Sequence, residues 1–172
     1  LIVEGESVFN KEVACLVGSP YSQANKDLKR DYEKRGLTVI NTTDRETIYK
    51  MKNSLGIYGD CALNPTETDY PGVFVKPAEV ALFWWEDDML CKVKLRYPLA
   101  GTYDDKTIIL VDYKTTQSVK PSAFLGSIKK YQYELQAAWY KRAFEKAGFT
   151  VADFLFVAQE KKHPFASKVF KM

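Results

Sequence analysis

The chain carries one histidine, three cysteines and no run of 18 apolar residues, and each shortage removes a class of chemistry. A single imidazole, His163, supplies too few nitrogen ligands for most zinc centres and removes most Ser-His nucleophile pairs. Cys15, Cys61 and Cys91 are odd in number and lack Cys-x-x-Cys spacing, which argues against a disulfide framework or a zinc knuckle and for a reducing compartment. Without a long apolar run or a signal-peptide pattern, the expectation is a soluble cytoplasmic protein with no membrane partner. A strong excess of one charge is also missing. With 25 basic and 22 acidic residues, the net charge of +3 permits a nucleic-acid partner without arguing for one.

What is present suffices for one sizeable core. At 172 residues, 46% hydrophobic and 14% aromatic, the chain reads as a single domain over 1–172. It opens at Leu1, inside an apolar pattern and without an initiator Met, so a trimmed N-terminus is expected. Lys11 to Val17 reads as a short strand broken by Gly18-Ser19-Pro20, and Gln23 to Lys34 as a charged helix stopped near Gly36. Leu37 to Ile40 reads as a strand. A helix then runs to about Leu55, with Thr43 and Glu46 placed for a capping box. Ile57 to Gly72 is a turn-rich connector.

The second half is more regular. Val75 to Trp85 and Leu90 to Tyr97 read as strands joined by the acidic turn Glu86-Asp87-Asp88, and Thr107 to Thr116 as a third strand. Ser122 to Lys146 reads as one long helix with Phe124, Ile128, Tyr131, Leu135, Ala138 and Ala143 on its buried face. Phe154 to Ala158 is a further strand, and Val169-Phe170 begin another. Strands followed by helix and strand predict an α/β (α+β) sheet with helices packed on it.

Chemistry concentrates on the third strand. Side chains alternate along a strand, so Asp112 and Lys114 share one face while Tyr113 points to the other. Burying a carboxylate and an ammonium together is costly unless they hold each other or a bound ion. Glu79 heads an apolar strand, readable either as an exposed strand start or as an acid aimed at a cation. Gln136 and Tyr140 are i and i+4 on the long helix, hence neighbours on one face. Trp84 and Trp85 project to opposite sides of their strand, so one can stack on a base while the other enters the core.

The ordered set resembles the PD-(D/E)XK nucleases, in particular the RecE-like, exodeoxyribonuclease VIII-type branch of phage and prophage exonucleases. Ala78-Glu79-Val80-Ala81-Leu82-Phe83-Trp84 resembles the acidic strand of that family, and Val111-Asp112-Tyr113-Lys114-Thr115-Thr116 its catalytic strand. Gln136-Ala137-Ala138-Trp139-Tyr140 resembles its motif helix. The resemblance implies a restriction-endonuclease-like core, a central mixed β-sheet flanked by helices, here without its N-terminal helix and part of its C-terminus. It also implies a Mg²⁺-dependent exodeoxyribonuclease, with Mn²⁺ as substitute, that degrades linear double-stranded DNA from its ends, 5′ to 3′, in recombination within a bacterial host. A ring-like homo-oligomer and a single-strand annealing protein are the implied partners.

By the same resemblance Asp112, Glu79 and the Tyr113 backbone carbonyl would bind metal. Lys114 would sit beside the nucleophilic water, with Gln136 and Tyr140 shaping the catalytic shell. Lys92, Lys94, Thr115, Thr116, Lys129 and Lys130 are the expected DNA contacts, since phosphate binding is electrostatic and indifferent to sequence. One position departs from the family: Arg96 falls where a second metal-binding Asp is expected, and a guanidinium repels a cation. Either Asp104 or Asp105 supplies that ligand instead, or residues are missing near Leu95-Arg96, or the chain is a catalytically degenerate DNA-binding module of the same fold.

Overall fold

A computed structural model describes residues 5–55, 73–75, 80–95, 99–102 and 106–172. The chain divides into two compact units, Leu1–Asn53 and Ser54–Met172. Glu79, Arg96, Asp104, Asp105 and the whole predicted connector, 57–72, lie outside the described residues.

In the first unit, helix α1 (Gly5–Glu12) leads into strand β1 (Val13–Leu16), which pairs in parallel with β2 (Thr38–Asn41) across helix α2 (Gln23–Lys34). The predicted strand over Lys11 to Val17 is thus shorter, because its first residues complete α1. Ser22 caps α2 by accepting the Asn25 N–H at 3.2 Å, and Gly36 at φ +76 reverses the chain after it. Helix α3 (Thr42–Ser54) follows β2 directly. Its cap corrects the expected Thr43 box: Asn41 Oδ1 accepts the Asp44 N–H at 2.7 Å, while Thr42 Oγ donates to the Leu16 carbonyl.

The second unit is built on a mixed five-stranded sheet of order β3-β6-β7-β8-β9. Its strands are β3 (Val73–Val75), β6 (Leu99–Thr102), β7 (Thr107–Thr116), β8 (Thr150–Glu160) and β9 (Ser167–Lys171). Strand β7 is parallel to β8 and antiparallel to β6. A parallel neighbour needs a long crossover, here the helices α4 (Pro121–Tyr131) and α5 (Tyr133–Lys146). They cover one sheet face, where Ile108, Leu110, Phe124, Ile128, Ala137, Phe144, Phe154 and Phe156 form the core. Phe124, Phe144 and Phe156 are fully buried, each burial stabilising the fold by roughly 1.5–3 kcal/mol.

Three expectations are corrected in this unit. The single long helix is two, because Gln132 adopts a left-handed conformation (φ +53, ψ +43) and donates its N–H to the Ile128 carbonyl. That break resets the helical phase, so Tyr131, Leu135 and Ala138, expected in the core, are exposed, and Ala137 and Phe144 are buried instead. The predicted strand Val75 to Trp85 is also divided: β3 joins the large sheet, whereas β4 (Val80–Glu86) pairs only with β5 (Met89–Leu95) in a separate antiparallel hairpin. Asp87, at φ +47, makes the tight turn between them. Strand β6, rich in small residues, has no counterpart in the sequence reading.

Helix α5 works on two sides. Ala137 and Phe144 pack on the sheet, while Ala143 packs with Trp84, Cys91 and Val93 of the hairpin. Leu82 and Tyr140 touch both clusters. The opposite hairpin face, with Phe83, Trp85, Leu90 and Lys92, is exposed.

Candidate active site

The side chains of Ile108, Leu110, Asp112 and Lys114 alternate onto the helix-covered face of β7, which carries the chemistry from a dry core toward solvent. Asp112 is 1% exposed and its β8 neighbour in register is Phe156, so its carboxylate stands against an apolar wall. Two residues on, Lys114 is partly open, and its Nζ lies 2.9 Å from Asp112 Oδ2. The two form a close, buried ion pair. Among the described residues, Oδ2 has no hydrogen-bond partner. Burial raises the Asp112 carboxyl above the usual carboxylate range, and the Lys114 charge only partly offsets it.

Helix α5 completes the arrangement. Lys114 Nζ donates to Gln136 Oε1 at 2.8 Å, and Gln136 Nε2 donates to the Tyr140 hydroxyl at 3.1 Å. The helical i, i+4 spacing of Gln136 and Tyr140 makes this relay local, whereas the Lys114 bond joins strand to helix. A further group comes from Tyr133, whose ring lies 4.7 Å from Lys114 Nζ, so the ammonium is held by a carboxylate, an amide and a π face. Burial is the first cause, with Tyr131 and Asp112 next, that pushes the Tyr133 phenol up. Sequence reasoning missed this contact; the i, i+3 relation of Tyr133 to Gln136 was the available signal.

Other expected positions are dispersed. The Tyr113 side chain points to the far sheet face, where its hydroxyl donates to the fully buried Gln159. Gln159 in turn donates to Ser54 Oγ and the Phe165 carbonyl, each at 3.2 Å. Thr115 is exposed beside the site, but Thr116 is buried and its hydroxyl donates to the Ser118 carbonyl at 3.2 Å. Lys92 stands on the hairpin face turned away from α5, and Lys94 pairs in register with Ala81. Lys129 and Lys130 are exposed at the end of α4, with Lys130 over the Tyr131 ring.

The donor chemistry fits a hard divalent cation. A buried carboxylate oxygen without a hydrogen-bond donor is the kind of atom such an ion takes, and a nearby backbone carbonyl such as that of Tyr113 is compatible with it. Among the described residues no cluster of three or more His, Cys, Asp or Glu side chains forms, and Asp112 is the carboxylate of this site. The other acids expected as ligands, Glu79 and Asp104 or Asp105, lie outside those residues. No described helix is long and apolar enough to cross a membrane.

Comparison with known proteins agrees with the fold. The family model of a PDDEXK-like domain of unknown function (DUF3799) matches residues 10–172. The crystal structure of a "Putative exonuclease" from Eubacterium rectale is similar in fold, with a TM-score of 0.52 and 12% identity, over 87% of this chain and 53% of that one. The chain thus spans about half the length of that neighbour. No curated protein matches the chain.

Proposed function

Because the chain belongs to the PDDEXK-like family DUF3799, we propose that its Asp112–Lys114 site hydrolyses DNA phosphodiester bonds with a divalent cation, Mg²⁺ or Mn²⁺. The observation that carries this reading is the buried Asp112 oxygen, unsatisfied by hydrogen bonds and paired at 2.9 Å with an ammonium that Gln136 holds in place. Such an arrangement is costly for a merely structural pair, which would ordinarily satisfy its oxygens by hydrogen bonding.

In this mechanism Asp112, the Tyr113 carbonyl and Glu79 would hold the metal, with Asp104 or Asp105 the candidates for a further ligand. When bound, the cation supplies Lewis-acid stabilisation to the attacking and departing oxygens of the phosphate. Lys114 orients the attacking water, and its positive charge favours the hydroxide form and stabilises the negative charge that grows on the phosphate. Gln136 fixes Lys114 by accepting its hydrogen bond, and Tyr140 fixes Gln136 in turn. Tyr133 closes one side of the ammonium. Lys92, Lys94, Thr115, Lys129 and Lys130 serve as phosphate contacts, while Thr116 shapes the end of β7. Action on the ends of linear duplex, 5′ to 3′ polarity, a homo-oligomeric ring and a role beside an annealing protein in phage recombination follow from the RecE-like resemblance.

The test is release of nucleotides from linear duplex DNA by the chain in Mg²⁺, together with thermal denaturation with and without Mg²⁺ or Mn²⁺. A cation at about 100 times its Kd should add roughly 2.7 kcal/mol of stability to the native chain and none to Asp112→Asn. An equal shift in both proteins, or cleavage retained by Asp112→Asn, removes the assignment.

Arg96 favours a second reading, a catalytically degenerate DNA-binding module. Salt-dependent DNA binding without hydrolysis selects it, and under it Arg96→Asp should strengthen Mn²⁺ binding in calorimetry.

A further inference from the structure

Helix α5 carries a second surface beside the candidate site that neither the family model nor the site chemistry accounts for. A groove is lined by Leu135, Gln136, Ala138, Trp139 and Arg142. Leu135 is 60% exposed and Trp139 41% exposed, an unusual cost for a leucine and an indole one helical turn apart. Trp139 is nevertheless held. Its ring lies 5.0 Å from that of Trp84, whose indole N–H donates to Glu86 Oε1 at 2.9 Å. Glu86 in turn grips Arg142 through both oxygens. The Trp139 ring is therefore fixed against Trp84 of the hairpin, tilted 53° to that indole, with part of its surface left open.

Gln136 connects this groove to the site: it lines the groove and accepts the Lys114 hydrogen bond at 2.8 Å. A molecule bound to Lys114 by its phosphate thus has a flat apolar ring within one helical turn. We infer that this groove takes an unpaired nucleobase, stacked on Trp139 and edged by Leu135, next to the phosphate held at Lys114. Bases inside a duplex have both faces covered by their neighbours, which leaves unpaired bases free to enter the groove. Rigid aromatic platforms bind with little loss of side-chain freedom, and stacking tolerates any base, which suits an enzyme that reads no sequence. The inference rests on the nuclease reading and specifies the substrate for it: a frayed or single-stranded end.

The experiment is anisotropy of a labelled oligothymidylate and of a blunt duplex, titrated with the native chain in EDTA so that nothing is cleaved. Trp139→Leu keeps an apolar contact with Trp84 but has no ring; it should lose about 5- to 150-fold in oligothymidylate affinity and little in duplex affinity. Trp139→Phe should retain most of it. With the unsubstituted chain, a 5-iododeoxyuridine strand should photo-crosslink to the peptide containing Trp139, a readout independent of how any variant folds. If the native chain binds DNA in a salt-dependent way but Trp139→Leu binds oligothymidylate equally well, the stacking inference is overturned and the nuclease reading stands. Loss through Trp85→Ala instead, or a crosslink at Trp85, moves the base to the exposed hairpin face and also overturns it. No binding to either DNA by the native chain removes both readings.

Discussion

Asp112 and Glu86 each lie beside basic side chains, yet their acidities move in opposite directions. Glu86, at the end of β4, receives two hydrogen bonds from Arg142 and one from the Trp84 indole, with Lys146 at 3.7 Å. The Arg142 hydrogen bonding is the main cause that holds its carboxyl down at about 2. Asp112, deeply buried, has the single Lys114 ammonium beside it, and burial raises it more than that ammonium lowers it. A carboxylate satisfied by donors fastens the hairpin to α5. A carboxylate buried with a single ammonium is costly to ionise, the kind of perturbed group that clusters at functional sites.

The sharpest way to break this contrast is Asp112→Asn. Cleavage should fall by roughly a hundred- to a thousandfold or more, measured as nucleotide release from linear duplex. The same variant should denature at a higher temperature than the native chain at pH 7 in EDTA. A carboxyl raised in the folded state is at its most favourable below its unfolded value of about 4 and becomes a net cost as pH rises through the folded value. The gap between the two melting curves should therefore close as the pH is lowered toward 4. A lower melting temperature for Asp112→Asn at pH 7 would contradict the burial argument.

Lys114→Met comes next. It should lower cleavage by roughly a hundred- to a thousandfold and move the Asp112 titration further up, since the one charge that lowers it is gone. An Asp112 titration unchanged by carboxyl-carbon NMR would show that the pair does not interact.

Glu86→Gln should have a smaller effect, confined to stability. A depressed carboxyl contributes stability above its unfolded value of about 4.3, and that contribution is lost as pH falls through the folded value of about 2. The melting temperatures of native chain and variant should differ at pH 7 and converge over that interval. The smallest effect expected is that of salt. Raising ionic strength toward 1 M should narrow the Glu86 difference, because Arg142 is half exposed, and leave the Asp112 difference unaltered, because that pair is enclosed.

Much of the scaffold could be read from residues alone. The run Thr107 to Leu110 is β-branched and apolar, and it marked β7 with both ends correct. Charge and turn residues bounded α2 in the same way. The break at Gln132 could not be read, because a glutamine in the left-handed region carries no glycine or proline signal and is imposed by the packing of two helices on one sheet. Strand β6 was hidden by its small residues, and the separation of β3 from β4 depends on which partner each finds, a long-range choice that alternation does not encode. Within the site, Asp112 and Lys114 were legible as a pair and Gln136 with Tyr140 as another. That Gln136 reaches Lys114, and that Tyr133 covers it, required the α5 crossover to be placed on β7.

Local rules of period two and 3.6 are enough to put Asp112 with Lys114, and Gln136 with Tyr140, on common faces, and to fix which segments carry them. Those rules act over a few residues and belong to the sequence. The environment of each charge depends on what lies across the sheet and above the helix: Phe156 beside Asp112, Arg142 beside Glu86, Trp84 beneath Trp139. Desolvation and pairing are properties of neighbours distant in the chain, so the tertiary structure alone decided which carboxyl is held down and which is raised.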